Sequence, residues 1–392
     1  MKIFFVTSKL NFETSGGSIE EFDLMMRTWQ KMGNDVVAIT AFSNSNSIPD
    51  KLPYRLIEEQ ISTPHLLGIQ WGIYKILKKH ESSADIFHID AHMMLYGAGF
   101  YKLLGGKVPV VGFFNFYLSC WKQYASSLFP QPRIGLIKTL KNKLRWLAER
   151  YLGMFLANRL DAGAFISPSF MKMYQEFGLK LKHMFVMGDP IDFKKIMSEQ
   201  GIDENYYVQR NKKTGPFTIF YSSRMSPGKG FDVLLAGFAK VKNKDNFRLI
   251  LGGSGPEEKF VKKMVQDFGL EKYVRMPGWV SKQQIYDFYK QADIFIQADW
   301  WPVGTSISLI YAMIFGVPSI LPGGGGLEWN AKGGATYFQY RDTDELARKI
   351  EELANSYELR SKLSRGAYAR LHEDQMNFEW QIGEWLKIIK KV

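Results

Sequence analysis

The sequence predicts an α/β protein made of two doubly wound domains, each with a parallel sheet covered by helices. Three observations support this class. The chain has 392 residues, which suits two domains of ordinary size better than one. Short apolar runs alternate with amphipathic segments, as in parallel strands joined by helical crossovers. This pattern stops in the polar segment Ser198–Pro216, the expected linker, and restarts after it.

The first half opens with a strand, a turn and a helix. Ile3–Thr7 is the expected first strand, and a glycine-bearing turn separates it from a helix over Ile19–Met32. Gly33–Asp35 ends that helix, and Val36–Thr40 is the second strand. Later strands of this half are expected at Ile86–His88, Val108–Phe114, Ala162–Ile166 and Met184–Met187.

The second half repeats the arrangement. Its strands are expected at Thr218–Tyr221, Arg248–Leu251, Tyr273–Met276, Ile294–Gln297 and Ser319–Leu321. Ligands of doubly wound sheets bind beyond the carboxyl ends of the strands, so the loops that follow these strands should carry the chemistry. The expected domains are 1–195 and 196–375, with a C-terminal helix over 376–392 that returns to the first domain.

Composition limits the function classes. Lys and Arg number 51 against 39 Asp and Glu, and the net charge of +12 indicates an anionic partner: nucleic acid, a phosphorylated ligand or an acidic membrane surface. A hydrophobic content of 46% excludes a disordered chain. The single cysteine, Cys120, excludes an intrachain disulfide and a thiolate metal site. The apolar run Ile3–Val6 is too short for a secretion signal, so a cytoplasmic location is expected.

One stretch without charges lies between Asp299 and Glu328. Within it Ile307–Phe315 is strongly apolar, but a membrane span needs about 20 predominantly apolar residues. Glycine, serine and proline interrupt this stretch. It is therefore expected to be a buried helix followed by a buried strand.

The loop after the first strand of the second domain carries two cations. Arg224 and Lys229 flank a Pro-Gly turn between that strand and a helix expected over Phe231–Val241. Arg can fork onto two phosphate oxygens while Lys acts as a point charge, so the pair suits a diphosphate. The alternative is two solvated loop charges.

Two more loops follow strands in the same domain. Leu251–Pro256 is rich in glycine, which lets a backbone approach a ligand closely, although a plain tight turn explains it equally well. It lacks the third glycine of a dinucleotide fingerprint, so NAD binding is poorly supported. In the third loop Thr305 or Ser306 can cap a helix that ends at Gly316. The start of this helix is a second possible anion-binding site.

The motifs and their order resemble the retaining glycosyltransferases of family 4, which have the GT-B architecture. The resemblance covers nearly the whole chain and implies two facing Rossmann-like domains with the active-site cleft between them. The segments that carry it are Ser15–Glu20, Gly33–Val36, Asp161–Ser167, Asp189–Asp192, Ser223–Gly230 ("GRL…KG"), Ala312–Pro318 ("AMAxGxP") and Gly325–Glu328 ("GG…E").

The resemblance implies a nucleotide-diphosphate sugar, of UDP or GDP type, held by the second domain. Arg224 and Lys229 would hold the diphosphate. No metal cofactor is implied, because fixed cations and helix dipoles would neutralise the leaving group. The other implied donor-binding residues are Gly17, Gly253, Arg275, Pro277, Val303, Gly304, Thr305, Ser306, Tyr311 and Glu328.

The chain departs from the family at three positions. Val303 and Tyr311 stand where the family has two glutamates, and Asn115 stands where it has a histidine. Asn can donate a hydrogen bond to a sugar but cannot act as an acid or base. These departures have two explanations: the donor sugar is bound by different contacts, or the activity is weak or lost. We favour the first.

Polar residues near the end of a first-domain strand are acceptor-side candidates. His88 and His92 could face the acceptor, while a structural role for a strand-end histidine is as plausible, and no third ligand supports a metal site. Asp90 is the candidate base, and Asp90, Asn115, Arg224 and Lys229 are the catalytic candidates. Glu328 could grip donor hydroxyls or be a solvated loop acid.

The segment Lys102–Arg159 contains ten Lys and Arg residues and one acid, Glu149, with aromatic residues interleaved. This composition indicates a face that binds an anionic membrane, and a solvated basic helix is the alternative. Nucleic acid is not expected, because no recognition motif accompanies the segment.

These features together predict a metal-independent glycosyltransferase at the inner membrane face. It would transfer a sugar to a lipid-linked or glycan acceptor in cell-surface polysaccharide biosynthesis. The rival from another class is a non-catalytic nucleotide-sugar or glycan-binding protein on a degenerate GT-B scaffold. A sugar-nucleotide epimerase would need acid and base residues that the sequence does not offer.

Overall fold

A computed structural model describes residues 1–13, 18–63, 65–90, 92–118, 136–300 and 303–392, without the side chains of residues 18, 92 and 138. The chain divides into two compact units. Unit 1 holds the described residues of Met1–Trp121 and Gly135–Ile191 together with Asp374–Val392, and unit 2 holds Asp192–Glu373. The boundaries after Ile191 and Glu373 lie within four residues of the expected boundaries after residues 195 and 375.

Unit 1 contains a parallel sheet of seven described strands in the order β3-β2-β1-β4-β5-β6-β7. The strands are β1 (Lys2–Thr7), β2 (Asp35–Thr40), β3 (Arg55–Glu58), β4 (Ile86–Ile89), β5 (Val110–Phe114), β6 (Ala162–Phe165) and β7 (His183–Val186). Helices cover both faces, which is why the central strands are almost continuous runs of apolar residues. The helices are α1 (Ser18–Lys31), α2 (Leu66–His80), α3 (His92–Leu103), α4 (Leu136–Ala148), α5 (Met154–Ala157) and α6 (Pro168–Glu176). A π-helical turn over Glu149–Gly153 joins α4 to α5.

Unit 2 contains a second parallel sheet, with six described strands in the order β10-β9-β8-β11-β12-β13. They are β8 (Phe217–Ser222), β9 (Phe247–Gly252), β10 (Val274–Gly278), β11 (Ile294–Ile296), β12 (Ser319–Pro322) and β13 (Ala335–Phe338). The helices are α7 (Phe193–Gln200), α8 (Glu204–Gln209), α9 (Phe231–Ala239), α10 (Glu258–Asp267), α11 (Lys282–Gln291), α12 (Ile307–Ile314), α13 (Gly325–Ala331), α14 (Thr343–Asn355) and α15 (Tyr357–Leu371).

The last helix, α16 (Phe378–Ile389), belongs to unit 1. Its residues Ile382, Trp385 and Ile389 are buried in the same apolar cluster as Ile3 and Phe5 of β1. The chain thus returns to its first sheet after completing the second.

The segment Ser198–Pro216 is more structured than the expected linker, because it contains α8. Tyr207 of that helix is buried and donates its hydroxyl hydrogen to the carbonyl oxygens of Met313 (3.0 Å) and Ile314 (2.6 Å). The Arg210 guanidinium donates to the carbonyls of Phe315 and Ala292. Two polar side chains therefore bind carbonyls at the ends of α11 and α12, a long-range role that apolar periodicity does not reveal.

The stretch without charges forms α12 and β12, as expected. Residues Leu309, Ile310 and Ala312–Phe315 of the helix region and all four residues of β12 are buried. No helix in the described part of the chain is long and apolar enough to cross a membrane.

Candidate functional site

The loop between β8 and α9 lies against the segment that follows β11. Gly230 has a φ of +70°, and a Cβ at this position would lie 2.0 Å from the carbonyl oxygen of Ala298. The backbone amide of Trp300 donates to the carbonyl of Gly228 at 3.1 Å. Only glycine allows this close approach, so Gly230 fixes the loop that carries Arg224 and Lys229.

The glycine-rich loop after β9 packs against the other side of the same loop. A Cβ on Gly253 would lie 2.0 Å from the carbonyl oxygen of Ser223, and one on Gly255 would lie 2.3 Å from that of Met225. The amide of Met225 donates to the carbonyl of Ser254 at 2.9 Å. The sequence left two interpretations of these glycines open, close approach of a ligand and a plain tight turn. In the structure a Cβ on either glycine would meet the neighbouring backbone, so Gly253 shapes the loop.

The two cations of the β8–α9 loop differ in their surroundings. Arg224 is exposed and forms no hydrogen bond or ion pair with a described residue. The Nζ of Lys229 lies 3.3 Å from Oδ1 of Asp299, and the two side chains are 35% and 1% exposed. Tyr221 donates its hydroxyl hydrogen to Oδ2 of Asp299, 3.3 Å away. One cation is thus free for a ligand, and the other is held by a buried carboxylate.

Ser306 is the residue that caps α12. Its Oγ accepts from the amide of Leu309 at 3.3 Å and donates to Oε1 of Gln297 at 2.7 Å. Ser308, in the first turn, donates to the carbonyl of Ser222 at 2.8 Å and so ties the helix to the end of β8. Thr305, the other expected cap, is half-buried beside it.

The loop after β12 reaches the start of this segment. A Cβ on Gly326 would lie 1.5 Å from the carbonyl oxygen of Gly304, so the two backbones are in direct contact. Glu328 is exposed, and its Oε2 accepts from the amide of Gly324 at 2.6 Å. This contact brings Glu328 to the same edge of the sheet as the half-buried Val303.

The remaining donor candidates of unit 2 lie farther along the same elements. Tyr311 is half-buried on α12, and its ring centroid lies 5.6 Å from that of Tyr286. Arg275 is exposed within β10, with its guanidinium 5.8 Å from the Phe288 ring, and Pro277 follows it on that edge strand.

In unit 1 the structure brings together two of the acceptor-side candidates. Asp90 is 3% exposed and accepts from Oγ1 of Thr7 at 3.2 Å and from Nδ2 of Asn115 at 3.0 Å. These three residues follow or end neighbouring strands of the first sheet. Glu21 of α1 is also buried, and its burial, together with the nearby Asp189 and Asp90 carboxylates, raises its pKa well above the ordinary value.

His88 does not face an acceptor. It is fully buried: Nε1 of Trp385 donates to its Nε2 at 3.1 Å, and its ring stacks on Phe5 at 5.0 Å. Burial lowers its pKa to about 3, so it is neutral at physiological pH. The structural alternative is therefore correct for His88, which joins α16 to the sheet. The side chain of His92, and Gly17, lie outside the described residues.

Sequence reasoning missed Asp299 and two neighbours. Trp300 is buried and donates from Nε1 to Oδ1 of Asp232 at 3.1 Å; burial raises the pKa of Asp232. An available signal was the position of Asp299, an acid just beyond an apolar strand, like Asp90 in unit 1. Within the described ranges, no three His, Cys, Asp or Glu side chains are grouped as metal ligands.

Comparison with known families decides the class of unit 2. Residues 203–370 match the family described as glycosyl transferases group 1. They form a glycosyl transferases group 1 domain. The matched segment contains every loop of the candidate donor site in unit 2, from the Arg224 loop to Glu328.

Curated relatives match stretches of the chain that differ in length. Mannosylfructose-phosphate synthase of Agrobacterium fabrum is 26% identical over 165 residues, covering 40% of this chain and 36% of that protein. The chain thus spans about a third of the length of the first curated relatives it matches. Alpha-monoglucosyldiacylglycerol synthase of Acholeplasma laidlawii is 19% identical over 349 residues, covering 86% of this chain and 84% of that protein.

Solved structures show that the fold is GT-B. Anabaena HepE in complex with UDP matches with a TM-score of 0.72 and 16% identity over 100% of both chains. Sucrose-phosphate synthase of Thermosynechococcus elongatus matches with a TM-score of 0.76 and 14% identity, covering 100% of this chain and 98% of that one. The two parallel α/β units of the chain are those of this architecture.

Proposed function

We propose that the chain is a retaining glycosyltransferase that takes its sugar from a nucleotide-diphosphate donor without a metal ion. The observation that carries the proposal is the Arg224–Lys229 loop, held between two neighbouring loops at the carboxyl edge of the second sheet inside a glycosyl transferases group 1 domain. A diphosphate leaving group needs positive charge where it develops, and fixed cations supply it without reorganisation.

The proposed donor carries UDP or GDP. A UDP donor is supported by the HepE structures, which match this fold and are described as complexes with UDP and with UDP-glucose. Arg224 would contact two phosphate oxygens and Lys229 a third, while the capped start of α12 would add backbone amides. Exposed Glu328 is the carboxylate of this edge that can accept from sugar hydroxyls.

The proposed reaction keeps the anomeric configuration of the sugar. The bond between the anomeric carbon and the diphosphate oxygen breaks, and the acceptor oxygen bonds to the same face of the sugar. The departing phosphate takes the acceptor proton, so no side-chain base on the donor unit is needed. In unit 1, Asp90 and Asn115 are the proposed acceptor-side residues, and their mutual hydrogen bond of 3.0 Å orients the Asn115 amide.

The proposed acceptor is lipid-linked or a glycan, approached from the membrane surface. Its support is an apolar stripe, which we call the α4 stripe, on the outer side of α4 and the turns that follow. Its seven members are all exposed: Leu136, Ile137, Leu140, Leu144, Tyr151, Leu152 and Phe155. Exposed apolar residues gathered on one helix mark an interaction surface.

Charges beside the α4 stripe favour an anionic bilayer as its partner. Lys141, Lys143 and Arg145 are exposed on the same helix, and the Arg159 guanidinium lies 4.9 Å from the ring of Phe155. Rings and leucines that enter the headgroup region while Lys and Arg meet anionic lipids are typical of a helix lying in the interface. The proposed location is therefore cytoplasmic and peripheral at the inner face of the membrane.

A second candidate function is nucleotide-sugar or glycan binding without catalysis. Val303 and Tyr311 favour it, because neither offers the carboxylate that the resemblance places at these positions. Binding of a donor without turnover, in the presence of a range of acceptors, would support this candidate.

A donor screen tests the proposal. The protein is heated with UDP-, GDP-, ADP- and dTDP-sugars in EDTA, and the same mixtures are assayed for release of nucleoside diphosphate. We expect one UDP- or GDP-sugar to raise the Tm and to be slowly hydrolysed or transferred. Stabilisation without release points to the binding protein, and no effect from any donor contradicts both.

A further inference from the structure

We propose that Asp299 is a positioning residue for Lys229, which it directs toward the diphosphate of the donor. The inference rests on the proposed donor site and adds a residue that neither the motifs nor the family match identifies. Asp299 itself is too buried to touch the donor, so it acts through the lysine.

The burial of Asp299 makes a partner necessary. Only 1% of its side chain is exposed, and a buried carboxylate is costly unless it is paired and hydrogen-bonded. Its partners are the Tyr221 hydroxyl on Oδ2 and the Lys229 ammonium, 3.3 Å from Oδ1. The attraction across this short, largely dry gap fixes where the otherwise flexible lysine side chain ends.

The contact leaves the ammonium able to bind a ligand. Oδ1 of Asp299 has no hydrogen-bond partner with acceptable geometry among the described residues, so the pair is held by charge rather than by a directed N–H. The Lys229 side chain is 35% exposed, so solvent or a ligand can reach part of it. Its three N–H groups therefore remain available for phosphate oxygens.

The backbone of Lys229 is fixed by the same network. The Tyr221 hydroxyl lies 3.1 Å from the carbonyl oxygen of Lys229 as well as 3.3 Å from Asp299. Gly230 against Ala298 and the amide of Trp300 on Gly228 hold the same turn. The main chain of Lys229 is thus fixed by other contacts, and the Asp299 carboxylate orients the lysine side chain.

The same strand offers a matched control. Asp293, at the opposite end of β11, accepts from Nζ of Lys213 at 2.6 Å and from the amide of Thr218 at 2.7 Å, with 11% of its side chain exposed. Asp293→Asn also removes an ion pair of a poorly exposed carboxylate next to β11. This pair lies at the amino end of the strand, whereas the donor loops follow the carboxyl ends. It therefore reports what loss of such a pair does to the fold alone.

The experiment measures the affinities of UDP and GDP by calorimetry in EDTA for five proteins: wild type, Asp299→Asn, Lys229→Ala, the double variant and Asp293→Asn. The Tm of each is measured in parallel. We expect Asp299→Asn to weaken binding about five- to tenfold and Lys229→Ala tenfold or more. Because Asp299 acts through Lys229, the double variant should bind no more weakly than Lys229→Ala. Asp293→Asn should lower the Tm but leave affinity unchanged.

Three results would overturn the inference. Unchanged or tighter binding by Asp299→Asn means that the acid does not aim the lysine. Additive losses in the double variant mean that Asp299 acts by another route. Equal loss of affinity in Asp293→Asn means that the effect is general destabilisation. If the wild type binds neither nucleotide, both the proposed donor site and this inference are refuted. If the wild type binds normally and any of the three results is found, only the inference is refuted.

Discussion

Replacing each cation of the donor loop by alanine should separate binding from stability. Arg224 is exposed and has no partner among the described residues, whereas Lys229 neutralises a carboxylate that is 1% exposed. In the proposed donor site, each substitution would remove a charge-assisted hydrogen bond to phosphate, worth about 1.5–3 kcal/mol. Both should therefore weaken nucleoside diphosphate binding about tenfold or more.

The two variants should differ in the free energy of unfolding. Arg224 is exposed and makes no hydrogen bond or ion pair with a described residue, so the effect of Arg224→Ala should stay within about 0.5 kcal/mol. Lys229→Ala leaves Asp299 buried with only the Tyr221 hydroxyl, and an unpaired buried group costs about 1–3 kcal/mol. Because about 1 kcal/mol shifts the Tm of a domain of this size by about 2–4 °C, Lys229→Ala alone should lose several degrees.

Calorimetric titration with UDP and GDP gives the affinities, and thermal unfolding monitored by fluorescence gives the Tm. Lys259→Ala, at an exposed lysine of α10 in the same unit, is the control for loss of one positive charge. Unchanged affinity in both cation variants would refute the assigned diphosphate site. Equal Tm values for the two variants would refute the structural role of the Lys229–Asp299 pair.

Three further predictions concern the metal, the membrane and one buried acid. Turnover should survive EDTA, and restoration of lost activity by Mg²⁺ or Mn²⁺ would contradict the fixed-cation mechanism. In flotation assays the wild type should bind anionic liposomes, and binding should weaken as the salt concentration rises. The double variant Leu140→Glu, Leu144→Glu should not bind, whereas the control Lys259→Glu should bind. Equal flotation with neutral lipid, or dimerisation through the α4 stripe, would contradict membrane docking. Because the folded-state pKa of Glu21 is raised, the contribution of Glu21 to stability should be complete below about pH 4.5 and be lost as the pH rises toward the raised pKa. Glu21→Gln should therefore raise the Tm at pH 8 and have little effect near pH 4; no gain at pH 8 would show that Glu21 is not proton-bound in the fold.

The sequence was sufficient for the central strands of both sheets. Runs such as Ile3–Thr7 are apolar because helices cover both faces of the sheet. Their length of about five residues is typical of a strand. The strands missed were Arg55–Glu58 and Ala335–Phe338, which end their sheets. The other two edge strands, β7 and β10, were predicted, so an edge position alone does not hide a strand. Arg55–Glu58 was missed because it begins and ends with a charged residue and is not an apolar run.

Long-range contacts decide between alternatives that the sequence left open. The sequence could not tell whether His88 is a site residue or a structural one, and only the return of α16, which brings Trp385 onto His88, assigns it to the core. The positions of Gly253 and Gly255 in a strand-end loop gave no sign that the neighbouring loop, rather than a ligand, fills the space beside them.

The proposed donor site could be predicted only in part, because some of its contacts are also long-range. Arg224 and Lys229 stand in a local motif directly after a strand, so their sequence position is enough to place them at the sheet edge. Asp299 lies 70 residues beyond Lys229 and meets it only because β11 pairs with β8. Its role requires knowledge of the strand order.

Proton NMR during turnover of a nucleotide-sugar tests the central claim most directly. The chain is incubated with the donor selected by the screen, in EDTA, and the anomeric signal of the first-formed product is followed before mutarotation. A donor with an α-linked sugar should give an α-configured product, and Arg224→Ala should slow its appearance about tenfold or more. A β-configured product would contradict retention, and no product from any nucleotide-sugar would contradict the assignment as a glycosyltransferase.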